Sequence, residues 1–120
     1  MPEIDPARLL GDLRALATFG AYKTGVHRPT FSPQDVEARH WFAGRLAEAG
    51  LDSTIDGIGS VFGFSRAAGP TLLTGSHVES QNHAGWLDGP LGIVYGLETA
   101  RAFRGKSRGG DRGKAVKKAA

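Results

Sequence analysis

The stretch "TLLTGSHVESQNHAGWLDGPLGIVYGLETARAF", residues 71–103, decides the fold. It begins with a short run of apolar and small side chains, which predicts a buried strand leading into His77. A polar, glycine-containing loop follows and closes at Asp88, after which apolar positions recur at helical spacing. A histidine at the end of a strand and an aspartate at the start of a helix therefore face one loop, which is where open α/β sheets place their ligand sites.

The residue types of this pair allow two interpretations. Neutral imidazole and carboxylate are the usual ligands of Zn²⁺ and related ions, and Gly85 and Gly89 would let the loop fold back to bring His77 and Asp88 together. Equally, a carboxylate that precedes a helix caps its first backbone N–H groups, and a loop histidine can be satisfied by hydrogen bonds alone. The spacing by itself leaves both open.

Longer motifs add a family resemblance. The segment "GSHVESQNHAGWLDGPLGIVYGLE", residues 75–98, resembles the first metal motif of the amidase/hydantoinase/carbamoylase branch of the M20 metallopeptidase-like family. That branch contains N-carbamoyl-L-amino acid hydrolases and allantoate amidohydrolases, and its motif reads roughly G-S-H-x-D-[ST]-x-x-x-G-G-x-x-D-G-x-x-G-[VI]. Upstream, "GVHRPTFSPQDVEARHWFAGRLAEAGL" (25–51) and "DGIGSVFG" (56–63) also look like this family. The resemblance covers about residues 8–103.

The resemblance implies a fold and a metal site. Residues 1–103 would be the N-terminal portion of a three-layer, zinc-peptidase-like α/β catalytic domain. His77 would be a terminal ligand, and Asp88 would bridge two divalent ions (Zn, Mn, Co or Ni). Glu79 stands where the family usually has aspartate and would orient the imidazole of His77, while Ala84 replaces a common glycine. The general-base glutamate and the other ligands are expected downstream of this chain.

The implied activity is that of a metal-dependent amidohydrolase (EC 3.5 type). Its substrates would be small molecules with non-peptide C–N bonds, such as N-carbamoyl-L-amino acids or allantoate. The family usually forms homodimers through a domain that is absent here. Because two ligands cannot complete a dinuclear site, we expect the chain to be truncated and inactive alone. The alternatives are a non-catalytic fragment with a weak metal site and a basic-tailed binding protein.

Composition narrows the class of protein. At 120 residues the chain is one domain at most. It has no cysteine, which excludes disulfides and thiolate metal sites and fits a reducing cytoplasm. No apolar run approaches the roughly 20 residues of a membrane span, and the N-terminus has no hydrophobic signal core. We therefore expect a cytoplasmic protein without membrane contact.

Charge is concentrated at the C-terminus. Residues 104–120 carry seven Lys or Arg and one Asp, whereas the rest of the chain carries eight basic and eleven acidic side chains. This glycine-rich tail predicts disorder. It is either a polyanion-binding arm or the product of a reading frame lost near residue 104. We favour the second and expect no nucleic-acid binding, since the tail lacks interleaved aromatic residues.

The remaining elements follow from capping and periodicity. Asp5-Pro6 predicts a helix over 6–19, and Ser32-Pro33 starts a second helix that Gly50 ends. Strands are predicted near 51–56, 60–65 and 71–76, before a helix over about 90–103 that is apolar nearly all round. Two helices, three strands and a buried helix give an α/β pattern.

Several polar or aromatic residues outside the pair carry weaker predictions. The loop 20–31 is predicted to be a surface loop with His27 and Arg28 as polar side chains, although the family resemblance implies that the corresponding loop lies near the substrate region. His40 is expected at the boundary of the second helix's apolar stripe and not as a ligand. Asn82 and Trp86 flank the ligand loop and would either shape a pocket or, for Trp86, pack in the core.

Overall fold

The computed structural model describes residues 1–107 and 116–119, in which three helices and six strands form one α/β unit. The helices are α1 (Pro6–Ala17), α2 (Pro33–Glu48) and α3 (Pro90–Ser107). The strands are β1 (Ala21–Tyr22), β2 (Gly25–Val26), β3 (Asp52–Ile55), β4 (Val61–Phe64), β5 (Leu72–Thr74) and β6 (Val116–Ala119). The predicted order of two helices, three strands and a third helix is confirmed. The prediction that the strand before His77 is buried was wrong, because Leu72 and Leu73 of β5 are 59% and 69% exposed.

The two N-terminal helices begin as their capping residues predict. The side chain of Asp5 accepts a hydrogen bond from the backbone N–H of Arg8, and that of Ser32 accepts one from Asp35. Proline occupies the first turn of both helices, where its missing N–H costs nothing. α1 ends at Ala17, two residues before its predicted end.

The main sheet has the order β3-β4-β6-β5. β3 pairs antiparallel with β4 and β4 antiparallel with β6, whereas β5 and β6 run parallel. α2 packs against β3 and β4, and α3 packs against α1. All of them meet in one cluster of buried apolar side chains, which includes Leu16, Ala38, Phe42, Leu46, Val61, Val78, Ile93, Val94 and Leu97. Through Ile93 and Val78, this cluster joins the start of α3 to the segment that follows β5.

The expected disordered tail differs from the structure wherever the tail is described. α3 continues through Ser107, and β6 lies between β4 and β5. A strand can occupy that position whatever its side chains, because ladder hydrogen bonds come from the backbone and pair the facing edges of β4 and β5. Residues 108–115 and 120, for which disorder was also predicted, lie outside the described part of the chain.

A network of charged side chains holds α1 against α3. The carboxylate of Glu98 is fully buried and accepts hydrogen bonds from the backbone N–H of Asp5 (2.9 Å) and from Nε and Nη2 of Arg8 (2.9 and 2.6 Å). Arg101 pairs with Asp12 of α1 and lies 3.5 Å from Glu98. Within the described ranges, no helix has the length and apolarity that crossing a bilayer requires.

Candidate functional site

His77 and Asp88 lie together at the end of the sheet. His77 follows the C-terminal end of β5 by three residues, and Asp88 precedes the first residue of α3 by two. The imidazole Nε2 of His77 lies 3.5 Å from Oδ1 of Asp88. On the other side of the ring, Nδ1 lies 3.1 Å from the carbonyl oxygen of Glu79 and 3.2 Å from its carboxylate Oε1. The structure therefore brings all three predicted site residues into contact.

The contacts of the imidazole define which nitrogen carries its proton. Nδ1 of His77 faces two oxygen atoms of Glu79 that can only accept, so it is the N–H donor. In a neutral ring, Nε2 then presents a lone pair toward the carboxylate of Asp88, and two acceptors repel each other unless a positive charge lies between them. This arrangement suits a bound cation, or else a doubly protonated ring.

The separation of the two side chains fits shared coordination. Two ligands each about 2.1 Å from a tetrahedral Zn²⁺ are about 3.4 Å apart, close to the 3.5 Å observed between Nε2 and Oδ1. Both groups are open to solvent, with side-chain exposures of 46% for His77 and 89% for Asp88. Among residues 1–107 and 116–119 no group of three or more His, Cys, Asp or Glu side chains could hold a metal ion. The described residues therefore supply two candidate ligands.

Glycine at position 89 makes this pairing sterically possible. Its φ of +86° lies in the left-handed region, which side chains disfavour. A Cβ atom there would meet both Nδ1 and Cε1 of His77 at 2.4 Å. One turn later, a Cβ atom on Gly92 would lie 2.6 Å from that of Ser76. The start of α3 thus approaches the end of β5 more closely than any larger residue would permit.

A cavity of about 450 Å³ opens beside the pair. It is lined by His77, Glu79, Ser80, Gln81, Ala84, Gly85 and Asp88. This volume is in the range of small-molecule sites, about 300–1,000 Å³. Trp86 does not line this cavity and packs against the core cluster, in agreement with its packing interpretation. Asn82 is exposed and is not among the lining residues.

The segment 26–28 pairs with residues 80–84, of which Ser80, Gln81 and Ala84 line the cavity, and we call this pairing the loop clamp. Val26 and Ala84 exchange backbone hydrogen bonds of 2.8 and 3.0 Å. The N–H of Ser80 donates to the carbonyl of Arg28, and the N–H of Arg28 donates to Ser80 Oγ, each at 2.8 Å. The short hairpin of β1 and β2 carries this segment. The sequence does not predict this hairpin, because two-residue strands have no periodicity.

The prediction that Arg28 is a surface residue was wrong. Its side chain is fully buried, and Nε donates to the carbonyl of Val78 while Nη1 donates to those of Leu16 and Phe19. Burial lowers the pKa of Arg28, although the charges of Asp35 and Glu79 oppose that shift. The guanidinium of Arg28 therefore links the C-terminal end of α1 to the segment that carries His77. The chance of a buried arginine is low for any single loop position, so the sequence alone did not indicate it.

The rings of His27 and His83 lie in tilted contact at one end of the loop clamp. Their ring centroids lie 4.5 Å apart, and the ring of His83 stacks in turn on Tyr22 at 4.2 Å. The backbone N–H of His83 donates to Nδ1 of His27 at 3.3 Å. The ring of His27 is thus half-buried and bonded to the cavity loop. His40 is exposed on α2.

Comparison with known proteins identifies relatives across nearly the whole chain. No protein-family model matches it. An N-carbamoyl-L-amino-acid amidohydrolase from Paenarthrobacter aurescens is 33% identical over 99 residues, which is 80% of this chain and 24% of that protein. The allantoate amidohydrolase of Escherichia coli K12 is 34% identical over 85 residues, covering 66% of this chain and 20% of the relative.

Solved structures give the same result. An amidase of the hydantoinase/carbamoylase family from Burkholderia phymatum superimposes with a TM-score of 0.93 and 53% identity. That match covers 100% of this chain and 29% of the amidase. The chain thus spans about a quarter of the length of the curated relatives it matches.

Proposed function

Because the chain is homologous to one part of the hydantoinase/carbamoylase-type amidases, we propose that it forms part of a metal-dependent amidohydrolase. The reaction is hydrolysis of a non-peptide C–N bond in a small ureido or amidino compound, such as an N-carbamoyl-L-amino acid or allantoate. The observation that carries the proposal is the 3.5 Å approach of His77 Nε2 to Asp88 Oδ1 beside a cavity of ligand size. The cysteine-free composition supports a cytoplasmic location.

The metal would be held by His77 and Asp88. The carboxylate of Glu79 keeps the proton of His77 on Nδ1, so that the lone pair of Nε2 stays available for coordination. Asp88 has two oxygen atoms, is exposed, and suits a bridging position between two ions of Zn, Mn, Co or Ni. When bound, divalent ions supply Lewis acidity toward a carbonyl oxygen and lower the pKa of a water molecule.

The residues of this chain also shape the substrate's side of the site. Ser80 and Gln81 line the cavity next to the candidate ligands and offer a hydroxyl and an amide to a polar substrate. The loop clamp and Arg28 hold the cavity wall in place from behind. Neither the further ligands nor a general-base glutamate is assigned to a described residue, so the complete site draws them from elsewhere.

A second candidate function follows from the ligand count. With two candidate ligands among the described residues, the 120-residue chain alone would bind one ion weakly and catalyse nothing. This alternative differs from the first in what the isolated chain does, and it shares the same pair of ligands.

Calorimetric titration of the chain with Zn²⁺ or Mn²⁺ tests the metal site. We expect one ion per chain, and we expect binding to be lost in His77→Ala and Asp88→Ala. Glu37→Ala removes an exposed carboxylate from α2 and serves as the matched control, in which binding should be unchanged. Unaltered binding in Asp88→Ala would contradict the assignment.

An ammonia-release assay separates the two candidates. With N-carbamoyl amino acids or allantoate as substrates, we expect no turnover by the isolated chain. We expect turnover once the chain is joined to the remaining part of a relative such as the Burkholderia phymatum amidase. Turnover by the 120 residues alone would show that they contain a complete active site.

A further inference from the structure

The loop clamp ends in a histidine pair that no step of the proposed reaction uses. His27 follows β2 directly, and His83 precedes Ala84 of the cavity wall. Their backbones are joined at the inner end by the hydrogen bonds between Val26 and Ala84. At the outer end the connection is made by a side chain, since Nδ1 of His27 accepts the backbone N–H of His83 at 3.3 Å. One imidazole nitrogen therefore secures one end of the cavity loop.

This bond requires a particular protonation state. A nitrogen that accepts a hydrogen bond has a free lone pair, so the proton of neutral His27 must be on Nε2. When the ring takes up a second proton from solvent, that proton binds Nδ1 and turns the acceptor into a donor. Two N–H groups then face each other, and the bond to His83 is lost.

We propose that His27 is a pH-sensitive latch that holds the cavity loop around His83 closed when neutral and releases it when protonated. The latch does not depend on a bound metal, because neither histidine belongs to the pair at 77 and 88.

The surrounding charges reinforce the release. The ring of His83 stacks on Tyr22 and lies in tilted contact with His27, and the ammonium group of Lys23 lies 5.4 Å from the centre of the Tyr22 ring. If both imidazoles are protonated, three positive charges are gathered along this edge. Glu79 and Asp88, whose carboxylates are negatively charged, line the cavity. Their attraction for protonated imidazoles opposes the release of the loop.

Backbone conformation also favours opening. His83 has a φ of +49° and Lys23 a φ of +51°, both in the left-handed region that residues with a Cβ atom avoid. Strain of this kind persists only where surrounding contacts impose it. Loss of the bond to His27 removes one of those contacts, so the loop gains conformational freedom when it opens.

Solvent exchange of the residue-83 backbone amide, followed by NMR on the full chain, tests the latch. After correction for intrinsic exchange, we expect protection to be about fivefold greater near pH 8 than near pH 5, the factor that corresponds to one ordinary hydrogen bond. The midpoint should coincide with that of the His27 ring resonances. A midpoint that follows only the His83 ring would overturn the proposal.

Three variants make the result specific. His27→Phe keeps an aromatic ring in the stack but removes the acceptor, and should show low protection at every pH. His27→Asn places an oxygen acceptor near the position of Nδ1, and should show high protection at every pH. His83→Phe keeps the donor and should retain the pH dependence of the parent. A pH dependence that survives in His27→Asn, or that disappears in His83→Phe, would refute the latch.

Discussion

The ring of His77 lies so close to the backbone of Gly89 that a Cβ atom at position 89 would overlap it, at 2.4 Å from both Nδ1 and Cε1. The left-handed φ of Gly89 has the same implication, since it favours a residue without a side chain. Asp88 and Gly89 are adjacent, so the turn that presents the carboxylate also makes room for the imidazole. The positions of the two candidate ligands are therefore coupled.

Gly89→Ala should displace His77 and weaken metal binding at least tenfold. We also expect a loss of about 1–3 kcal/mol in the free energy of unfolding, from backbone strain and overlap together. Gly85→Ala is the matched control: it changes another glycine of the cavity wall where an added Cβ meets no described atom within 4 Å. Urea denaturation and calorimetric metal titration would measure both effects. If Gly89→Ala and Gly85→Ala had the same stability and the same metal affinity, the positions of His77 and Asp88 would not be coupled through Gly89.

The free energy of unfolding should decrease at low pH because Glu98 becomes protonated. Burial alone would raise the pKa of this carboxyl, but hydrogen bonds from Arg8 and from the backbone of Asp5 outweigh it and hold the pKa below its ordinary 4.5. A carboxyl whose pKa is lowered by folding stabilises the folded state above its unfolded pKa. That contribution is lost as the pH falls through the lower, folded value.

Glu98→Gln should reveal this contribution. At pH 7 we expect the variant to be about 2 kcal/mol less stable, because it loses charged hydrogen bonds to Arg8. The difference should begin to shrink as the pH falls below 4.5, where the unfolded wild-type chain takes up a proton, and should vanish below the lower pKa of the folded carboxyl. Denaturation curves recorded at a series of pH values would show it, with the exposed Glu37→Gln as control. Parallel loss of stability in wild type and Glu98→Gln would count against this role.

Local signals in the sequence predicted the helices better than the sheet and the charged core. The starts of α1 and α2 could be predicted because capping by Asp5 and Ser32 acts over three residues. The contact of His77 with Asp88 was expected from the family resemblance, whereas the spacing alone left it open. β6 was not foreseen, because its place between β4 and β5 is decided by edges formed far away in the chain.

The burial of Arg28 depends on contacts of the same long-range kind. Its three carbonyl partners come from α1, the following turn and the end of β5, and no local pattern brings these groups together. The loop clamp likewise joins residues more than fifty positions apart. Sequence periodicity predicts which face of a helix or strand is buried. These contacts join loop segments that have no periodic pattern, so the sequence does not predict them.

Gly44→Ala should stabilise the protein. Gly44 lies in the interior of α2, and an added Cβ meets no described atom within 4 Å. Alanine loses less backbone entropy than glycine when a helix forms, so we expect a gain of about 0.5–1 kcal/mol in the free energy of unfolding. Thermal denaturation would measure it. A loss of stability would mean that this part of α2 contacts something beyond the described residues.

Arg28→Met should destabilise the fold by about 3 kcal/mol. The substitution keeps much of the apolar volume but leaves the carbonyls of Leu16, Phe19 and Val78 without their donor. Part of the loss is offset, since the buried cation also loses its desolvation cost, which is the effect that lowers its pKa. Arg14→Met, at an exposed position of α1, should stay within about 0.5 kcal/mol of the parent. If urea denaturation gave Arg28→Met the stability of Arg14→Met, then the cation would not secure the segment that carries His77, and the cavity wall would depend on the backbone hydrogen bonds of the loop clamp alone.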